Sequence, residues 1–269
     1  MAFGTPKSGT TFLQMILNAH PEISCPSEHR LEILRQGLAQ LLQHYNKILE
    51  KGDQLTGKQG PSPYSEEDFE HIFAYMVMVA ALRGAQGKNP QRIKWFGLND
   101  NAVILKLPFY AKFFPKARFV CIVRDPRSVT ISSWYHNLRT EPNFILNRGK
   151  NLDHWAAQSA QFWVREYGAA LEFQKNHPEK LIFIRYEDLV LDSLPHYEKI
   201  FTFLEVDTRE KLVNKIVEST RFERFRDSKF FRKASIDDWK KELSPKAIRA
   251  IEEIAYPLMT FFGYELYQS

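Results

Sequence analysis

The sequence predicts one α/β domain: a P-loop-type central parallel sheet, helices on both of its faces, and a helical insertion after the second strand. Three observations carry this. Short apolar runs at Ala2–Gly4, Ala117–Val123 and Leu181–Arg185 have the length and composition of strands buried on both sides. Between them, apolar residues recur every three to four positions, the period of helices packed on one face. The first run leads directly into Gly4-Thr-Pro-Lys-Ser-Gly-Thr-Thr11, a glycine-framed turn that opens a helical pattern. Strands alternating with helices imply βαβ units and a parallel sheet.

The turn reads as a phosphate cradle. Glycines at 4 and 9 let backbone N–H groups point inward, and the next helix directs its positive end at the anion. A nucleotide-hydrolysing loop places lysine directly after its second glycine, to reach the β and γ phosphates. Thr10 stands there instead, and the only cation, Lys7, lies inside the loop. The expected ligand is therefore a nucleotide-like donor other than ATP or GTP. From Thr10 to Ala19 a helix is expected, with Phe12, Leu13, Ile16 and Leu17 on its apolar face.

Ile23–Cys25 and Ile93–Gly97 read as weaker strands. Between them, helical patterns at 31–50 and 66–84 are joined by a stretch of turn formers from Gly52 to Tyr64. This insertion, about residues 31–90, serves either to shape an acceptor pocket or to pack. Further helices are expected near 101–113, 126–137, 152–176, 189–204 and 244–262. The stretch Asn137–Asn151 lacks periodicity and reads as a mobile lid.

Composition narrows the function. A net charge of +5 suits an anionic ligand, while the absence of a dense Lys/Arg block or basic–aromatic repeat argues against nucleic acid. Cys25 and Cys121 lie in or beside apolar runs and read as core residues rather than a disulfide framework. With no signal-like start and no apolar run near about eighteen residues, a cytoplasmic protein without a transmembrane segment is expected. No HExxH, CxxC or clustered His/Asp pattern offers a metal site. Oligomeric state is not legible.

A second constellation begins at Arg124. Phe119–Val123 runs as a strand into Arg124-Asp125-Pro126, and Pro126 suits a first helical turn. Arg124 thus falls at the carboxyl end of a central strand, where open α/β sheets bind ligands. Ser132 lies about two helical turns further on, with Ser128 one turn lower on that side. A guanidinium fork with a hydroxyl makes a phosphate-monoester clamp. Read alone, the segment is equally an Arg124–Asp125 cap with surface serines.

These motifs resemble those of sulfotransferases that use 3′-phosphoadenosine 5′-phosphosulfate (PAPS). Pro6-Lys7-Ser8-Gly9-Thr10-Thr11 matches that family's 5′-phosphosulfate loop, and Phe12 to Pro21 looks like its continuation in the tyrosylprotein and bacterial branches. Arg124 followed by Ser132 resembles the 3′-phosphate motif, and Arg185-Tyr186-Glu187-Asp188-Leu189 the family's Arg-Tyr-Glu-Asp-Leu. Phe231 to Lys241 is similar to a C-terminal segment that folds over the donor, with Ala234 and Asp237 replacing its glycines. The resemblance implies PAPS as donor, PAP as product, no metal, and a small-molecule, peptide or saccharide acceptor. It also implies Pro6 to Thr11 around the 5′ phosphosulfate, with Arg124, Ser132, Arg232 and Lys233 around the 3′ phosphate. Tyr186 would join the donor site.

The acceptor hydroxyl or amine needs a base near the donor loop, and Ser27-Glu28-His29-Arg30 offers two. In the cytosolic branch a histidine of Lys-Thr-His-x-Pro serves, but Leu105-Lys106-Leu107-Pro108 contains none. Cys25 to Arg30 resembles, without a gap, the tyrosylprotein stretch Cys-Gly-Glu-Glu-Thr-Arg. That implies Glu28 as general base, His29 as the alternative, and Lys7 at the transferring group. Asn99 occupies the place of a lysine in that branch, so Lys7 or Lys106 carries more of the charge, or turnover is slow or lost. A catalytically impaired nucleotide-binding module and an atypical P-loop kinase remain open.

Overall fold

Each strand is parallel to its neighbours, and the alternation of side chains along the central one shows why. The computed structural model describes residues 1–221 and 236–267, so Arg232 and Lys233 lie outside the described residues. The strands are β1 (Ala2–Phe3), β2 (Ile23–Ser24), β3 (Trp95–Phe96), β4 (Phe119–Val123) and β5 (Leu181–Arg185). β1, β4 and β5 pair in that order, and β2 pairs with β3. A parallel bridge from Ala2 to Asn99 joins the two groups: Ala2 N–H donates to the Leu98 carbonyl at 2.8 Å and Asp100 N–H to that of Ala2 at 3.1 Å. The strand order is therefore 2-3-1-4-5.

On β4, Phe119, Cys121 and Val123 enter one core with Phe3, Trp163, Tyr167, Phe173 and Phe262. Val120 and Ile122 enter the other, with Leu13, Ile16, Tyr197 and Phe201. A strand buried on both faces has no polar side, hence its continuous apolar run.

The helices are α1 (Thr10–Ala19), α2 (Leu31–Leu55), α3 (Glu66–Arg83), α4 (Leu107–Phe113), α5 (Pro126–Thr140) and α6 (Leu152–Asn176). They continue with α7 (Tyr186–Leu191), α8 (Ser193–Phe203), α9 (Glu210–Thr220), α10 (Trp239–Glu242) and α11 (Pro245–Phe261). The insertion between β2 and β3 is the pair α2 and α3 with their connecting loop.

Four expectations are corrected. The helix expected at 101–113 is a 3₁₀ turn, Asn101–Leu105, followed by α4, because Asp100 caps the turn and Pro108 starts a new helix. That at 189–204 divides at Asp192, since Pro195 cannot donate to the carbonyl of residue 191. α9, unexpected, buries Val213, Ile216 and Thr220. The stretch expected to lack periodicity carries the end of α5 and a π-helical turn, Ile145–Gly149, and its Phe144, 2% exposed, lies 5.3 Å from Trp134 and 5.1 Å from Trp155, ring centre to ring centre. Cys25 and Cys121 are buried and free, as expected. No described helix is long and apolar enough to cross a membrane.

Candidate active site

Parallel strands end at one edge, so the residues that follow them line up in strand order. Along this edge stand Cys25–Glu28 after β2, Asn99–Asn101 after β3, the Gly4–Thr11 loop after β1, Arg124 after β4 and Tyr186 after β5. Neighbouring strands lie about 4.8 Å apart. Residues scattered over some 160 positions of sequence thus share one edge of the sheet.

The loop sits too close to its neighbours for side chains at its two glycines. A Cβ on Gly4 would lie 2.4 Å from the Ile122 carbonyl oxygen, and one on Gly9 2.5 Å from the Tyr186 ring. Gly9 also has φ 97°, and Lys7 φ 74°, so the loop holds a non-glycine residue in the left-handed region. Thr5 and Ser8 brace it: their hydroxyls are 2.6 Å apart, and Ser8 N–H donates to the Thr5 carbonyl at 3.1 Å. Tyr167 of α6, fully buried, accepts from Thr5 N–H at 3.2 Å, and its hydroxyl lies 2.9 Å from Ser8 Oγ and 2.8 Å from the Ile122 carbonyl. Ser8 is therefore a strut inside the cradle. Pro6 and Thr11 are exposed, Thr10 is buried, and the Thr10 and Thr11 N–H groups belong to the first turn of α1, where a helix has no partners for them.

On the far side of the loop, Arg124 Nη1 donates to the Lys7 carbonyl at 3.3 Å, and its guanidinium lies 4.4 Å from the centre of the Tyr186 ring. The Arg124 carbonyl accepts from Trp163 Nε1 at 2.9 Å. Burial pushes the Tyr186 phenol up. Asp125 caps α5 by accepting from Arg127 N–H at 2.8 Å, while its own N–H donates to Glu187 Oε1 at 3.0 Å. Ser128, expected to face the clamp, instead donates to the Ile236 carbonyl at 3.1 Å. Ser132 is half-buried, two turns up α5.

On the near side, Asp100 ties the segments after β2 and β3 together. Only 2% exposed, it accepts from Leu31 N–H at 2.6 Å and Ala102 N–H at 2.9 Å, capping α2 and the 3₁₀ turn together. Asn101 Nδ2 donates to Glu28 Oε1 at 3.4 Å. Glu28 is solvent-accessible, yet partial desolvation pushes its carboxyl above the usual range; Asp100 adds to this, and Arg30 and Lys7 oppose it. Desolvation and then Arg139 push the Lys7 ammonium below its usual range, opposed by Glu28. Lys7 and Glu28 thus feel each other's charge. His29 is half-buried, with Nδ1 lacking a hydrogen-bond partner.

Sequence reasoning missed His136, Arg139, Tyr167, Asp100 and Asn101. His136 is pushed down by burial, then by Lys7 and Arg139. With Ser132, these two occupy positions i, i+4 and i+7 of α5, one helical face, which is the signal that finds them. Lys106, the sequence's candidate second cation, acts on Glu32, whereas the cation whose charge bears on Lys7 is Arg139. Asn99 is 4% exposed.

A family model described as the sulfotransferase family matches residues 1–210. The protein-tyrosine sulfotransferase of Drosophila melanogaster is 24% identical over 280 residues, taking in 98% of this chain and 51% of the fly protein. Protein-tyrosine sulfotransferase A of Caenorhabditis elegans is 22% identical over 281 residues, covering 97% of this chain and 66% of the relative. The chain spans about half the length of the first of these. Among solved structures, the sulfotransferase domain from the curacin biosynthetic pathway superposes with a TM-score of 0.59 at 18% identity, covering 98% of this chain and 97% of that one. A mouse sulfotransferase complexed with PAP gives 0.55, also at 18% identity, covering 96% and 82%. Those likenesses show the fold. With the match running from residue 1 to 210 of 269, the chain belongs to the sulfotransferase family.

Proposed function

We propose that this chain transfers a sulfuryl group from PAPS to a hydroxyl or amine, with Glu28 as general base. The supporting observation is that the glycine-framed loop with Lys7 and the segment with Glu28 both follow strands at the carboxyl edge of the sheet, where Asn101 holds Glu28 Oε1 at 3.4 Å; the opposed pull of each charge on the other's titration agrees with this. The cradle fits a donor phosphate: glycines stand where side chains would collide, a helix begins there, and Lys7 supplies charge. Arg124 and Ser132 would hold the 3′ phosphate, with Tyr186 beside Arg124.

In this reading the acceptor oxygen or nitrogen attacks sulfur in line, by analogy with phosphoryl transfer. The new bond to sulfur forms as the bond from sulfur to the 5′-phosphate oxygen breaks. Glu28 takes the acceptor's proton, and PAP leaves with the electron pair. Lys7 and the first-turn N–H groups of α1 stabilise charge gathering on the departing phosphate. Arg139 supplies positive charge that neutral Asn99 does not.

Incubating the protein with radiolabelled PAPS and a panel of phenols, alcohols, lipids, sugars and tyrosine peptides tests this. The peptides belong there because the named relatives act on protein tyrosine. Label should pass to at least one acceptor class. PAP binding without transfer would favour the impaired module, a reading that Asn99 supports. Preference for ATP with magnesium over PAP would overturn the donor assignment.

A further inference from the structure

α1 carries two polar side chains that the proposed chemistry leaves unused. Its buried apolar face is Phe12, Leu13, Ile16 and Leu17. Gln14 and Asn18, one turn apart on another side, are half-buried. Both reach the same residue of a different element. Gln14 Nε2 donates to the Cys25 carbonyl at 2.6 Å, and Cys25 N–H donates to Asn18 Oδ1 at 3.1 Å. Cys25 is 1% exposed, so its two backbone groups must find partners within the protein. The sheet does not supply them. Gly97 N–H donates to the Ser24 carbonyl at 2.6 Å, on the β3 side, and alternation along a strand turns the next residue's groups the other way. β2 is outermost in the order 2-3-1-4-5, with no further strand beside it among the described residues. The two amides of α1 stand in for one, an acceptor for the N–H and a donor for the carbonyl.

The consequence reaches Glu28, three residues on. α1 begins at the donor loop, so this clamp ties the segment of Glu28 to the helix that Lys7 and Gly9 lead into. The segment is pinned at its far end too, where Leu31 N–H donates to Asp100 Oδ2 at 2.6 Å. Between the two points, the Pro26 ring fixes its own φ and abuts Gly84, where a Cβ would lie 2.4 Å from Pro26 Cγ. Glu28 therefore stands on a short span held at both ends. The turn from α1 into β2 has a fastening of its own, since Lys88 Nζ donates to the carbonyls of Asn18 and Ile23. Loss of the clamp thus leaves that turn closed.

We propose that Gln14 and Asn18 are positioning residues for sulfuryl transfer: their two hydrogen bonds to Cys25 set where the Glu28 carboxylate stands relative to the donor loop. This rests on the reading of Glu28 as base. Two bonds to one residue fix both its place and its rotation. Displacing a reacting group by about 1 Å costs on the order of 10²-fold in rate, which is what the clamp guards against.

Exchanging each amide for its isosteric acid separates this role from packing. Asn18→Asp keeps an acceptor for Cys25 N–H and should hold kcat within about threefold. Gln14→Glu sets an acceptor against a carbonyl and should lower kcat by about 10–100-fold, with PAP affinity within about twofold. Packing alone would treat the two exchanges alike. If Gln14→Glu fails to fold, Gln14→Met removes the donor at similar volume and takes its place. On top of Glu28→Gln, either Gln14 variant should cost little more, because the clamp then has no base to place. Hydrogen exchange read by mass spectrometry should quicken over residues 25–31 in the Gln14 variants, and not over the donor loop, 4–11. Unchanged exchange would overturn the clamp. Quickened exchange with full kcat, or an undiminished loss on top of Glu28→Gln, would overturn its role in the reaction. A wild type that transfers to no acceptor would overturn the sulfuryl-transfer reading, and that role with it, while exchange still decides whether the clamp holds the segment.

Discussion

Lys7 serves two directions at once: its carbonyl accepts from Arg124, and its ammonium feels the charge of Glu28. Opposite shifts on Lys7 and Glu28 set a pH signature. Glu28 titrates above the ordinary glutamate range, so the carboxylate that the proposed mechanism uses as base forms later as pH rises. Lys7 titrates below the ordinary lysine range, so its charge is lost earlier. A plot of kcat/KM against pH should be a bell narrowed on both sides. Glu28→Gln should remove the acid limb and lower turnover by about 10²–10⁴-fold while sparing PAP affinity. His29→Ala should cost far less; abolished turnover there, with Glu28→Gln active, would reverse the two roles. If Arg124 holds the 3′ phosphate as proposed, Arg124→Ala should weaken PAP by roughly 1.5–3 kcal/mol. Calorimetry with adenosine 5′-phosphosulfate, which lacks that phosphate, should show a much smaller loss; equal losses would make Arg124 structural.

At the scale of elements, α5 shows what local signals reveal and what they miss. Asp125-Pro126 marks its start in sequence, and the structure agrees. Arg127, beside them, reads as one more motif residue, yet it is 4% exposed and holds α5 to α11. It pairs with Asp125 and Glu252 at 2.7 Å each and lies 3.8 Å from the centre of the Trp239 ring. Glu252 is 125 positions away, so no local pattern reveals the pair. Removing one member of a buried ionic cluster strands the others, at about 3–5 kcal/mol. Arg127→Met should lose that much in urea unfolding. Arg127→Lys should recover little, because an ammonium cannot fork between two carboxylates. A loss under about 1 kcal/mol would show the cluster to be dispensable.

For the whole molecule, a ligand that binds only the folded chain raises its stability by mass action. PAP at about one hundred times its Kd should add about 2.7 kcal/mol, a readily seen rise in melting temperature, and ATP with magnesium should add less. An equal or larger rise with ATP would sink the donor assignment. The sequence by itself determined the parallel sheet, the glycine-framed turn after β1 and the ends of its main strands, since burial on both faces and glycine-framed turns leave local marks. It also placed Glu28 and Arg124 as candidates, through motifs. It did not show Tyr167 bracing the loop, Asp100 capping two elements, or the charges of Lys7, Arg139 and His136 acting on one another, nor the halting of one helix by Pro195. Those depend on which strand lies beside which. Only the 2-3-1-4-5 order brings these distant segments to one edge, and contacts between distant segments leave no periodic trace in a single sequence.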